Sequence, residues 1–110
     1  MNNRGSLDEW ENIFFQYLST NWGGDAAHDL SHIERVVRNS KQIAKVEGGA
    51  LEIVVPAAWL HDIVIIPKVS PERTKASCLS AERAGQLLRD WNYDEELVAP
   101  IQHAILSHSF

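Results

Sequence analysis

The chain has one cysteine, Cys78, so no internal disulfide can form and packing alone must hold the fold. A lone thiol of this kind suits a reducing cytoplasm, which is the expected location. No apolar run is long enough to cross a bilayer, and Met1-Asn2-Asn3-Arg4-Gly5-Ser6 lacks the features of a signal peptide. No membrane partner is therefore expected. Basic residues are outnumbered: ten Lys and Arg stand against fifteen Asp and Glu, a formal charge of −5. Without a basic stripe, binding to a nucleic-acid duplex by simple electrostatics is excluded. An acidic protein that handles phosphates needs a local cation, and a bound metal can supply it. There is also no internal repeat, low-complexity tract or interdomain linker.

What remains is ordinary globular composition, 45% apolar and 23% charged over 110 residues, enough for a single domain spanning residues 1–110. Ser6-Leu7-Asp8-Glu9 matches a capping box, and Leu7, Trp10, Ile13, Phe14, Tyr17 and Leu18 follow at helical spacing. Asn21 to Asp25, with Gly23-Gly24, interrupts the pattern. A second helix is predicted to start near Asp29 or Ser31, burying Ile33, Val36, Val37, Ile43 and Ala44 until Gly48-Gly49 stop it. The stretch Ala50 to Asp62 mixes β-prone Ile53-Val54-Val55 with helix-prone Ala57-Ala58-Trp59-Leu60. Its length favours helix, provided that Pro56 lies near the first turn or at a kink. A fourth helix is expected over about Thr74 to Asp90, with Ala76, Leu79, Ala84, Leu87 and Leu88 on one face. A fifth follows an Asp94 N-cap and carries Leu97, Val98, Ile101, Ala104 and Ile105. The fold class is all-α, a bundle of about five helices.

The histidines are the chemical signal. All five fall in three clusters: His28-Asp29-Leu30-Ser31-His32, His61-Asp62, and His103 with His108. An adjacent imidazole and carboxylate at the end of an apolar run is costly unless something binds them. His32, His61 and Asp62 offer two nitrogens and an oxygen from two helices. That donor set suits a divalent Mn, Fe, Co, Ni or Zn ion, with Mg also compatible. Successive helical residues point about 100° apart, so His61 and Asp62 can share one ion only beyond a helix end. Three protein ligands leave positions open for water, as catalytic sites do.

The spaced pattern His28-Asp29-x-x-His32-x-x-Arg35-Val36, then Ala58-Trp59-Leu60-His61-Asp62, then His103 and His108, resembles the HD-domain metal-dependent phosphohydrolases. The small stand-alone bacterial members are the most similar, given Pro67-Lys68, Ser80-Ala81-Glu82-Arg83-Ala84 and the Ile105-x-x-His108-Ser109-Phe110 ending. The resemblance covers roughly Ala27 to Phe110. It implies an all-α fold that hydrolyses phosphate esters or anhydrides, often in nucleotides. It makes His32, His61 and Asp62 the metal ligands, with His61 and Asp62 also catalytic. His28, His103 and His108 would lie around the metal mouth on substrate phosphate or a second ion. Arg35, Lys68 and Arg73 are further candidates for phosphate neutralisation.

Two departures stand out. The family completes its site with an Asp on a later helix, and this sequence ends before that point, which suggests a fragment truncated at its C-terminus. The Glu-Asp pair of the alarmone hydrolases is replaced here by Ile63-Val64-Ile65-Ile66, which argues against that subclass. Two alternatives remain open: a cyclic nucleotide or dinucleotide phosphodiesterase, and a non-catalytic nucleotide-binding or regulatory module. Plainer readings also stand beside each residue. His61 can be a helix C-terminal histidine, Asp29 a cap, and Arg35, Lys68 and Arg73 surface cations. His103 and His108, about 140° apart on an ideal helix, need not share a role. Cys78 reads as a small core residue. Trp10, Phe14 and Trp22 are expected to supply an exposed patch for a homodimer.

Overall fold

The computed structural model of the chain describes residues 6–21, 26–61, 63 and 75–107. These form five helices: α1 (Leu7–Asn21), α2 (Ala26–Glu47), α3 (Leu51–Leu60), α4 (Ala76–Asp90) and α5 (Glu95–Ser107). The all-α expectation holds. Among the described residues no helix is long and apolar enough to cross a membrane.

Helix α1 starts as its sequence requires. Glu9 N–H donates to Ser6 Oγ at 3.3 Å and Ser6 N–H to Glu9 Oε1 at 3.2 Å, the reciprocal capping box. Its inner face buries Trp10, Phe14 and Leu18. This corrects the expected dimer patch: Trp10 stacks on Phe14 and meets Tyr93 edge-on at 4.7 Å, inside the core. Trp22 lies outside the described residues.

Helix α2 begins at Ala26, ahead of the expected start, so Asp29 is not its cap and His28 and His32 sit four residues apart in one helix. Leu30, Ile33, Val37 and Ala44 form its buried row. Val36 is only half-buried and Ile43 is 58% exposed, contrary to expectation. Gly48, at φ +78°, takes the left-handed conformation that a helix stop favours, and Gly49 N–H returns to Ala44 O at 2.8 Å.

Helix α3 is the axis, packing against all four others. Residues Val55 to Leu60 are all buried, which explains why that stretch is apolar throughout. Pro56 lies in the second turn and lacks the N–H that would bond the Glu52 carbonyl. The Tyr93 hydroxyl donates to that carbonyl instead, at 2.8 Å. Burial, together with the nearby Glu52 and Asp94 charges, pushes the Tyr93 phenol up to about 12.

Helices α4 and α5 form a hairpin. Asn92, at φ 63°, closes α4, with Tyr93 N–H bonded to Leu88 O at 2.8 Å. Asp94 then caps α5 as expected, accepting from Glu96 N–H at 3.0 Å. Gly85 lets α5 approach: a Cβ there would meet Gln102 Nε2, which donates to Ala81 O at 2.9 Å. The buried face of α4 is Ser80, Ala81, Ala84, Gly85, Leu87 and Leu88, while Leu79 and Cys78 are exposed. Cys78 is therefore not a core residue. The α5 face matches expectation, with Val98, Ile101 and Ile105 buried.

Candidate functional site at the histidine end

Helix directions decide which histidines share an end of the bundle. The short Gly48-Gly49-Ala50 link turns α3 back along α2, and Gly49 packs between Ala44 and Val54. Helix α5 runs alongside α3 in the same sense. Tyr93, at its head, touches Glu52 in the first turn of α3, and Ala104 and Ala57 line one groove further along. Val36 of α2 lines that groove too. His32 is one turn before Val36, His61 one turn after Ala57, and His103 adjacent to Ala104. His32, His61 and His103 therefore belong to the same end.

His61 is held most closely. It closes α3 in helical conformation, and its Nδ1 lies 2.6 Å from the Ala58 carbonyl oxygen. A carbonyl can only accept, so Nδ1 carries a proton and donates to it. This bond also satisfies one of the carbonyls that a helix C-terminus leaves without a helical partner. A histidine so oriented has the tautomer and ring fixation typical of a metal ligand, although a plain helix cap would use the same bond.

The other sequence-predicted residues are less constrained. His32 and Arg35 are exposed on the N-terminal half of α2. His103 is exposed, with Nε2 3.3 Å from Ser107 Oγ one turn on. His28 belongs to α2, and its side chain lies outside the described residues, as do Asp62, Lys68, Arg73 and His108. Among the described residues no group of three His, Cys, Asp or Glu side chains is arranged to hold a metal ion. Asp62, the third of the expected ligands, is not among those described residues.

One feature went unread in the sequence. Between α2 and α5, whose backbones stay apart among the described residues, an open groove of 530 Å³ is floored by α3. Its walls are mainly aliphatic, from Val36, Ile43, Ala44, Val54, Ala57 and Ala104. Asn39, Ser40 and Glu47 supply polar atoms along the α2 side. The signal was a second row on α2, Val36, Ser40, Ile43 and Glu47 at 3–4-residue spacing, offset from the core row.

Polar links on the opposite side of α3 were also missed. Glu11, largely buried, accepts from Lys41 Nζ at 2.8 Å and from Trp59 Nε1 at 2.9 Å, tying α1 to α2 and α3. Neither a family model, a curated protein nor a solved structure matches the chain.

Proposed function

We propose that this chain is a metal-dependent phosphohydrolase, acting on a phosphate ester or anhydride through activated water. The observation that carries the reading is the His61 ring, its Nδ1–H fixed on the Ala58 carbonyl at the end shared with His32 and His103. That bond fixes the ring at the end of a helix whose last six residues, Val55 to Leu60, are all buried, as pre-organised ligation requires. His32, His61 and Asp62 would hold the ion, a mixed imidazole and carboxylate set suited to a borderline divalent metal. A bound ion of that kind makes water a nucleophile near neutral pH and polarises a phosphoryl oxygen.

The chain's own groups do the rest. Ala58 holds the His61 ring in one tautomer, so no reorganisation is needed when substrate arrives. His103 and Arg35, with His28, Lys68, Arg73 and His108, supply hydrogen bonds and positive charge to phosphate oxygens. In the reaction, oxygen from water forms the new bond to phosphorus, the ester P–O bond breaks, and the leaving oxygen takes up the proton that the water gives up.

The test is phosphate or pyrophosphate release from a panel of linear nucleotides, cyclic nucleotides and simple phosphate esters, with divalent metals added singly. Metal-dependent release that disappears in His61→Ala and in Asp62→Ala, with helicity unchanged by circular dichroism, is the expected result. Turnover retained in those variants would refute the assignment. Cleavage confined to cyclic substrates would move it to the phosphodiesterases.

A further inference from the structure

The groove between α2 and α5 leads to the histidine end. Its near end is formed by Val36, Ala57 and Ala104, each one turn or less from His32, His61 or His103. Its far end is marked by Glu47 and Gly49. From Val36 to Glu47 the helix rises about 16 Å, a length suited to an extended ligand. At 530 Å³ the space falls within the range of small-molecule sites.

The lining restricts what enters. Among the described residues no aromatic ring and no Arg or Lys lines the groove, so these walls offer neither a stacking surface for a base nor a cation for phosphate. Among the described lining residues the one charged side chain, Glu47, stands at the far end and repels an anion there. A phosphate group is therefore favoured at the histidine end, with an aliphatic body along the groove. The exposed Ile43 extends the apolar wall into solvent, a surface a folded chain gains nothing by leaving bare. From this geometry we propose that the groove is the subsite for the organic half of the substrate. It selects phosphate monoesters of aliphatic alcohols over nucleotides. The phosphate placement rests on the phosphohydrolase reading, whereas the apolar selectivity does not.

The experiment measures binding of hexyl, octyl and decyl phosphate and of adenosine monophosphate to metal-free protein by calorimetry. Phosphate release from the same four compounds is followed separately. Affinity should rise about two- to four-fold per added methylene, the span expected for partial to full burial. The rise should flatten in Ala104→Phe, which fills the groove. It should weaken in Ile43→Ser, a surface change that leaves folding intact should the first variant fail. In His61→Ala the chain-length rise should persist while phosphate release stops. A flat chain-length series, a rise indifferent to both groove variants, or tighter binding of adenosine monophosphate than of octyl phosphate would overturn the subsite. A chain-length rise with no release from any ester would leave the subsite standing and remove the phosphohydrolase reading. Release without any chain-length preference would do the reverse.

Discussion

On the side of α3 that meets α1, large aromatic rings fill the space. Trp59 packs edge-on against Phe15 at 6.3 Å, and its indole N–H is fixed on the partly buried Glu11 carboxylate. Trp10, Phe14 and Tyr93 continue that aromatic core toward the head of α5, where Tyr93 serves the carbonyl orphaned by Pro56. On the side that meets α2 and α5, the residues are small or branched aliphatics, and between them the structure leaves a groove. One α3 helix thus has a closed face and an open one. The closed face spends its polar groups on internal partners, which makes the helix a rigid support. The open face leads to the end where His61 leaves that support, so the aromatic packing fixes the platform on which the histidine stands.

If that contrast is right, substitutions should separate cleanly. The largest loss is expected for Phe14→Ala on the closed face. A fully buried ring removed from this core should cost about 3–5 kcal/mol in denaturant unfolding. A cost below about 1 kcal/mol would mean that the aromatic face is not the support described here. Glu11→Ala should come next, at about 1–3 kcal/mol, because it strands the Trp59 indole N–H in a part-buried site. Tyr93→Phe should cost about 1 kcal/mol by depriving the Glu52 carbonyl of its donor. Ile43→Ser on the groove rim should stay within about 0.5 kcal/mol.

The same tyrosine gives a pH signature for the closed face. Its phenol is held at about 12 in the fold against 10.0 when free, so the folded state keeps this proton more tightly. Below pH 10 the contribution is complete. As pH climbs from 10 toward 12 the unfolded phenol ionises first, and stability falls. Wild-type protein should lose more stability across that window than Tyr93→Phe, with other alkaline titrations common to both. Parallel curves would separate Tyr93 from the effect.

Sequence periodicity was informative where a helix has one job. The α1 capping box, the Asp94 cap and the buried face of α5 follow from local chemistry and appear as read. Periodicity misled on α2, which carries a core row and an adjacent groove row whose apolar members are Val36 and Ile43. A row facing a groove and a row facing a core have the same spacing, so Ile43 and Val36 read as core. Trp10 and Phe14 were misassigned for the opposite reason. Nothing local announces that Tyr93, about eighty residues away, returns to pack on them. The Glu11 link to Trp59 is likewise long-range. Of the expected site, the placing of His32, His61 and His103 at one end follows from helix directions that only the packed structure supplies; the sequence had grouped them through the family resemblance alone. The tautomer of His61 was not legible either, because it depends on a carbonyl that only the finished helix aims at the ring.

The central claim is that the His61 ring is set as a metal ligand rather than merely as a helix cap. The most direct measurement is metal content per chain by elemental mass spectrometry, on wild type and His61→Ala purified without chelator and dialysed. The account predicts close to one divalent transition metal per wild-type chain and almost none in the variant, with equal helicity. A wild-type chain without metal, or a variant that keeps the same metal as wild type, would contradict it.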